Sequence, residues 1–261
     1  MGWRRLSTTA ALLALLVAVV ACSPASLMRP AQRAGAHNAT PAPSARGAPF
    51  CTTGAGDNVR PGDGGAACGV TLGVQLAGLD CTHLIVLPPN FVAESEQESG
   101  GASRPAPVRF GDGACTISTS IAGVVTRIRP KLPMPADIVV IADFTSDLLP
   151  PTVVSVTVRC EISDCVGVFT EVSHSAVSES VARVQRTLFS TSDGRPQAGV
   201  PNRLVVSASG DATRFWLNGH AYGPFKTGAL KPAYVTFDVD NRDGSLLAQA
   251  SLLRLLVFAT A

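Results

Sequence analysis

Three glutamates in the first half of the chain are candidates for chemistry, because glycoside hydrolysis uses two carboxyl groups held a short distance apart. Glu94, Glu96 and Glu98 alternate with polar residues. The surrounding segment, Ala93 to Ala106, is polar and contains glycine and serine, which predicts a mobile loop. A mobile loop cannot hold two carboxyl groups rigidly. We therefore interpret the glutamates as a solvated acidic loop and predict no catalytic residue.

A second acidic cluster near the C-terminus has the oxygen ligands that calcium prefers. An EF-hand loop needs such ligands at alternate positions, and Arg242 occupies one of them, so that motif fails. A calcium site assembled from separate loops remains an alternative to a plain turn. The histidines are not at ligand spacing and no CxxC occurs, so we predict no metal and no cofactor. The cluster consists of Asp238, Asp240, Asn241 and Asp243.

The familiar catalytic motifs are absent from the sequence. It contains no GxSxG, SxxK, HExxH or P-loop. His174 lies between Ser173 and Ser175, but no third member of a Ser/His arrangement is indicated. We therefore expect a protein that is not an enzyme.

Three aromatic residues are candidates for ligand binding, because an aromatic ring can stack on the apolar face of a sugar. They are Trp216, Tyr222 and Tyr234. Trp216 stands in an alternating pattern typical of a strand, so its alternative role is packing.

The first 22 residues have the parts of a bacterial export signal. Arg4 and Arg5 precede an apolar run from Ala10 to Ala21, which is too short to span a bilayer. The run ends in Val19-Val20-Ala21-Cys22, which resembles the bacterial lipobox. The resemblance implies that residues 1–21 are removed and that the Cys22 thiol is acylated. The lipid would then hold the protein on the extracytoplasmic face of the cell membrane. A soluble secreted protein cut near Ala21 is the alternative.

Six cysteines follow Cys22, and an even number in an exported chain predicts disulfides. Our hypothesis pairs neighbours along the chain. The predicted bonds are Cys51–Cys68, Cys81–Cys115 and Cys160–Cys165.

Composition limits both the partners and the domain organisation. Without Arg4 and Arg5 the chain has 19 basic and 19 acidic residues, and this neutrality argues against nucleic acid as a partner. Residues 22–49 contain five prolines and few large apolar residues, which predicts a disordered tether. Residues 50–107 predict a loop-rich, disulfide-containing lead-in with a short strand at Leu84–Leu87. Residues 108–261 predict one β domain.

Short segments rich in Val, Ile, Thr and Phe recur from Val108 onwards, separated by turn residues. This pattern is typical of a sandwich or a barrel. No segment keeps a helical period, although Ser173 to Val181 could form one helical turn. The predicted strands are Ala114–Ser118, Val124–Ile128, Ile138–Phe144, Val153–Arg159, Val166–Val172, Ala182–Leu188, Arg203–Ser209, Thr213–Leu217, Tyr234–Val239 and Leu252–Phe258.

The most specific segment of the β domain runs from Leu204 to Gly219. Residues that alternate between two strand faces on both sides of Gly210-Asp211 predict a β-hairpin. Asn218-Gly219 predicts a second tight turn. A strand, a Gly-Asp turn, an aromatic strand and Asn-Gly in this order resemble the C-terminal half of a concanavalin A-like (laminin-G-like) jelly roll. Together with the earlier strands, the resemblance covers residues 108–261.

The resemblance implies an all-β, two-sheet antiparallel sandwich. Because this fold hosts many functions, the function is a hypothesis by analogy. We expect a lipid-anchored, extracytoplasmic, non-catalytic module that binds a glycan or an envelope protein. The alternatives are an exported carbohydrate-active hydrolase of the same fold and a structural envelope lipoprotein with no small ligand. A carboxylate pair on the concave face would favour the hydrolase, and an exposed aromatic patch there would favour binding.

Overall fold

The computed structural model describes residues 66–67, 70–97, 101–147, 152–161, 164–171, 175–181, 184–192, 196–228, 231–242, 244 and 246–261. Apart from one 3₁₀ turn at Cys81–His83, the regular structure of these residues is β. The strands are β1 (Ala66–Ala67), β2 (Val70–Asp80), β3 (Phe91–Gln97), β4 (Arg104–Pro105), β5 (Arg109–Gly111), β6 (Ala114–Thr119), β7 (Val124–Pro130), β8 (Ile138–Ser146), β9 (Thr152–Glu161), β10 (Asp164–Thr170), β11 (Ser175–Val181), β12 (Val184–Thr191), β13 (Asn202–Ser209), β14 (Ala212–Leu217), β15 (His220–Lys226), β16 (Tyr234–Asn241) and β17 (Ala248–Thr260).

The described strands form two antiparallel sheets that pack as a sandwich. The nine-stranded sheet has the order β1-β2-β17-β8-β13-β14-β15, with β6 paired to β17 and β5 to β6. The eight-stranded sheet has the order β12-β11-β10-β9-β16-β7-β3-β4. Alternate side chains of both sheets meet in one core, where the rings of Phe144 and Phe237 lie 5.8 Å apart. The predicted fold class is confirmed.

The hairpin predicted from Leu204 to Gly219 is present. Strands β13 and β14 pair from Leu204 opposite Leu217 to Ser209 opposite Ala212. Gly210 closes this hairpin at a φ of 56°. The next turn has Asn218 at 50° and Gly219 at 88°, the left-handed backbone that an Asn-Gly turn adopts. Each of the ten predicted strands overlaps a strand of the structure.

The predicted loop-rich lead-in over residues 50–107 is wrong for its described part. Strand β2 lies in the nine-stranded sheet and β3 in the eight-stranded sheet, so both belong to the sandwich. The mobile loop predicted at Ala93 to Ala106 begins within β3, where burial of Phe91 and Ala93 and pairing with β7 outweigh the polar composition. The segment Leu84–Leu87 is not a strand, because only its two end residues pack against the core. Ser175–Val181 is a strand instead of a helical turn.

The nine-stranded sheet has a second row of buried side chains on the face that points away from the core. Beside this row, Asp143 of β8 lies between two arginines of the neighbouring strands. Its carboxylate accepts hydrogen bonds from Nε of Arg203 at 2.7 Å and from Nε of Arg254 at 2.9 Å. The apolar members of the row are Leu72, Val139, Ile141, Val205, Trp216, Leu256 and Phe258.

Two disulfides are present among the described residues, and both are pairs that the sequence predicted. Cys81–Cys115 joins the 3₁₀ turn to β6, and Cys160–Cys165 joins β9 to β10. The predicted pair Cys51–Cys68 lies outside the described residues, as do the signal peptide at 1–21, Cys22 and the tether at 22–49. Within the described part of the chain, no helix has the length and apolar character needed to cross a bilayer.

Candidate functional site

The outward face of the eight-stranded sheet carries a cluster of polar and charged side chains, which we call the polar face. Its residues alternate along β3, β7, β9 and β16 with residues that point into the core, such as Ile128 and Phe237. The register places Glu94, Arg127, Asp238 and Ser155 side by side across four adjacent strands. The polar face consists of Glu94, Glu96, Arg127, Arg129, Ser155, Thr157, Tyr234, Thr236, Asp238 and Asp240.

Two arginine–glutamate pairs form one side of the polar face. Arg129 donates from Nε to Oε1 of Glu94 at 2.7 Å and from Nη2 to Oε2 at 3.2 Å, which is a bidentate pair. Nη1 of Arg127 lies 3.2 Å from Oε2 of Glu96. Burial alone would raise the pKa of Glu94, but the hydrogen bonds and charge of Arg129 outweigh it and lower that pKa. These planar groups are therefore held in fixed orientations.

Asp238 is the most enclosed carboxyl group of the polar face, with 5% of the residue exposed. Its Oδ2 accepts hydrogen bonds from Oγ1 of Thr236 at 2.7 Å and from Oγ of Ser155 at 3.4 Å. The Thr236 hydroxyl also forms a hydrogen bond with the Thr157 hydroxyl. Burial raises the pKa of Asp238, although Arg127 and the neighbouring hydroxyls act in the opposite direction. The sheet therefore holds a carboxyl group that resists ionisation.

Asp240 follows Asp238 at the next outward position of β16. Oδ2 of Asp240 lies 3.8 Å from Nε of Arg242. Asp238 and Asp240 are therefore two carboxyl groups on the same face of a central strand, with one residue between them. Their sequence pattern alone suggested only calcium ligands. The alternation of Val235, Phe237 and Val239 was the signal that both aspartates share one face.

Glu94 and Glu96 lie on a paired strand, so the objection that a mobile loop cannot position them does not hold. Glu98 lies outside the described residues, as do Asp243, Ser173 and His174. Ser175 is buried in β11. Asn241 is fully buried and its amide bonds backbone groups of two loops. In the part of the chain that the structure describes, no group of three or more His, Cys, Asp or Glu residues is arranged to hold a metal.

The three aromatic candidates lie in three different places. Tyr234 belongs to the polar face, where the guanidinium carbon of Arg129 lies 4.4 Å from the centre of its ring. Tyr222 stacks on Phe215 with ring centres 4.6 Å apart, at the margin of the core. Trp216 is 9% exposed and packs in the apolar row of the other sheet. The structure therefore unites only Tyr234 with the other polar-face residues.

No family model and no curated protein matches the chain. Solved structures share its fold at low sequence identity. A native glycosidic hydrolase has a TM-score of 0.57 at 10% identity, over 71% of this chain and 96% of that one. A protein of unknown function with a galectin-like fold from Bacillus subtilis has a TM-score of 0.57 at 11% identity, over 74% of this chain and 99% of that one. A prokaryotic β-1,3-1,4-glucanase (lichenase) derived from a mouse hindgut metagenome has a TM-score of 0.53 at 10% identity, over 70% of this chain and 98% of that one. The chain thus has the concanavalin A-like jelly-roll fold that its sequence predicted.

Proposed function

We propose that this protein is a lipid-anchored, extracytoplasmic module that binds a glycan on its polar face without cleaving it. The observation that carries the proposal is the set of planar side chains held on one sheet face: the Glu94–Arg129 and Glu96–Arg127 pairs beside the ring of Tyr234. Two structures of the same fold are described as a glycosidic hydrolase and a lichenase, which supports a glycan as the ligand class.

The geometry of these side chains suits the recognition of sugar hydroxyls. A hydroxyl both donates and accepts, so it matches a carboxylate and an arginine placed next to each other. Because each partner fixes the other, little side-chain freedom is lost when a ligand binds. Arg129 covers one face of the Tyr234 ring, so the ring can offer a sugar only its other face. A sugar, which presents both hydroxyl groups and an apolar face, is therefore a suitable ligand for this site.

Binding of the purified mature protein to a glycan array and to isolated cell-wall polysaccharide tests the proposal. Tyr234→Ala and Arg129→Gln should each weaken capture about tenfold or more, since they remove the stacking surface and the bidentate pair. Lys226→Gln is the control, because this exposed lysine lies on β15 of the other sheet. Equal capture by all four proteins would contradict a binding site on the polar face.

The anchor is proposed from the sequence around Cys22. A diacylglyceryl thioether with a further acyl chain would give the two or more chains that lasting membrane attachment needs. Residues 23–65 would then connect the membrane to the sandwich.

Hydrolysis is the second candidate, and the Asp238–Asp240 pair favours it. A general acid must hold its proton near neutral pH, and burial raises the pKa of Asp238 in that direction. Asp240 lies one residue further along the same strand face. Release of reducing ends from cell-wall polysaccharide by the wild-type protein, abolished in both Asp238→Asn and Asp240→Asn, would replace the binding proposal. The absence of release, with capture retained, supports binding.

A further inference from the structure

The ring of Phe169 adjoins the polar face. Phe169 lies on β10, and the residues on either side of it, Val168 and Thr170, are fully buried. Because side chains alternate along a strand, Phe169 points to the outward face of the eight-stranded sheet, where it is partly exposed. It is therefore an aromatic surface that a ligand in solution can reach.

The ring lies along β10 over Gly167, the preceding outward position of the strand. A Cβ atom at Gly167 would stand 2.5 Å from Cε2 and 2.6 Å from Cζ of Phe169, and 3.2 Å from the Cγ2 methyl of Thr157. The two ring distances are well inside the contact distance of two carbon atoms, so a side chain at position 167 would displace the ring. The glycine therefore lets the ring rest against the sheet, beside a residue of the polar face.

Strand register places Phe169 at one end of a row of residues that crosses five adjacent strands. Each member of the row stands directly opposite the next across a strand pair. Four steps between neighbouring strands span about 19 Å, which is longer than one sugar unit. A chain of sugars that lies across the strands would therefore extend from the Phe169 ring to the Glu94–Arg129 pair. The row consists of Phe169, Ser155, Asp238, Arg127 and Glu94.

Polar groups that suit sugar hydroxyls flank the ring. Glu171 follows Phe169 by two residues, and its Oε2 lies 3.8 Å from Nη1 of Arg242. Nε of Arg242 lies 3.8 Å from Oδ2 of Asp240, and the Arg242 side chain is 55% exposed. An arginine beside a carboxylate offers both donors and acceptors to a hydroxyl. The ring and these groups together match the apolar face and the hydroxyls of a sugar.

We propose that Phe169 stacks on a sugar unit of the bound glycan and that Gly167 allows the ring the orientation that this contact needs. The inference rests on the proposed function and narrows its ligand to an oligosaccharide that spans several strands. Because Arg129 covers one face of Tyr234, Phe169 adds an aromatic surface on a different strand of the same sheet. Aromatic rings also cover strand glycines for structural reasons alone. Phe169→Leu separates the two roles, because leucine still covers Gly167 but has no ring to stack.

Capture of glycans by the purified mature protein tests the inference. The probes are isolated cell-wall polysaccharide and a glycan array that carries each glycan from the monosaccharide to the tetrasaccharide. The variants are Phe169→Leu, Phe169→Tyr and Gly167→Ala. Gly101→Ala is the matched control, because a Cβ there meets no atom of the described residues within 4 Å. Urea unfolding of each variant shows whether its fold is intact.

We expect Phe169→Leu and Gly167→Ala each to lower capture about three- to tenfold, since the first removes the ring and the second displaces it. Phe169→Tyr keeps a ring, so its capture should exceed that of Phe169→Leu, and Gly101→Ala should match the wild type. Capture by the wild type should rise from the monosaccharide to the tetrasaccharide, because the row is longer than one unit.

Equal capture by the wild type and Phe169→Leu, with weaker capture by Tyr234→Ala, would overturn the inference and leave glycan binding on the polar face standing. A loss in Phe169→Tyr as large as that in Phe169→Leu would also overturn it, because the ring would then not be what the ligand contacts. Absence of capture by the wild-type protein would refute the proposed function itself, and this inference with it.

Discussion

The Nε of Arg127 lies 3.6 Å from Oδ1 of Asp238, and neither atom has a hydrogen-bond partner among the described residues. The two groups face each other across β7 and β16 in direct register. The separation exceeds a hydrogen bond, so the pair interacts through charge alone. Both atoms are buried from solvent. The pair therefore holds an incompletely satisfied charge within the sheet face, beneath the more exposed Glu94 and Glu96.

The first prediction concerns the pH dependence of stability. Burial raises the pKa of Asp238 above its unfolded value. Below about pH 4 the carboxyl is largely protonated in both states, so its ionisation does not reduce the free energy of unfolding there. The Asp238 carboxyl ionises at a lower pH in the unfolded chain than in the folded protein. The free energy of unfolding therefore falls as the pH rises from the unfolded pKa through the folded pKa. Asp238→Asn cannot ionise, so its free energy of unfolding should rise relative to that of the wild type as the pH increases above about 4.

Urea unfolding of both proteins at several pH values across this range measures the difference. Asp211→Asn is the control, because that carboxylate is largely exposed. A wild-type protein that gains stability relative to Asp238→Asn as the pH rises would contradict the prediction.

The second prediction concerns Asp143, which neutralises Arg203 and Arg254 on the nine-stranded sheet. Asp143→Ala leaves two largely buried arginines without their shared carboxylate, so the free energy of unfolding should fall by about 3–5 kcal/mol. Asp211→Ala breaks an exposed pair with Lys226 and should cost less than about 1 kcal/mol. Denaturant unfolding measures both, and similar losses for the two variants would show that the buried arrangement is not stabilising.

The third prediction concerns the core hairpin. Phe215 is fully buried and stacks on Tyr222, so Phe215→Ala should reduce the free energy of unfolding by about 3–5 kcal/mol. Arg214→Ala changes the adjacent exposed residue of β14 and should alter it by less than about 0.5 kcal/mol. Thermal and urea unfolding give the comparison. A loss below that of an ordinary surface substitution would mean that the site is not part of the core.

The fourth prediction compares the two observed disulfides. Cys81 and Cys115 are 34 residues apart, and removing their bond should cost about 4 kcal/mol by the loop-entropy argument. Cys160 and Cys165 are 5 residues apart, and removing their bond should cost about 2 kcal/mol. Paired Cys→Ser variants unfolded without reductant test the order. Non-reducing peptide mapping of the wild type checks the pairing itself, and a larger loss for the shorter loop would contradict the argument.

The fifth prediction concerns the N-terminus. Cys22→Ala removes the thiol that would accept the lipid, so labelling with a fatty-acid probe and removal of residues 1–21 should both stop. Gly2→Ala, which leaves the apolar run and Cys22 unchanged, serves as the control. Equal probe incorporation into the wild type and Cys22→Ala would rule out acylation at this cysteine.

The sequence by itself determined the β class, the ten strand positions and the hairpin around Gly210. These follow from local physics, because alternation and turn residues act over a few neighbours. The same local reasoning failed at β3, where glutamate and serine predict a loop. Strand formation there depends on pairing with β7 and on burial of Phe91, which involve residues distant in the sequence.

The polar face was decided by the tertiary structure alone. Glu94, Arg127, Ser155 and Asp238 come from four separate parts of the chain, and only strand order and register make them neighbours. A shift of one residue in any of these pairings would turn the same side chains into the core. Long-range register is set by how both sheets share one apolar core, and no short stretch of sequence contains that information.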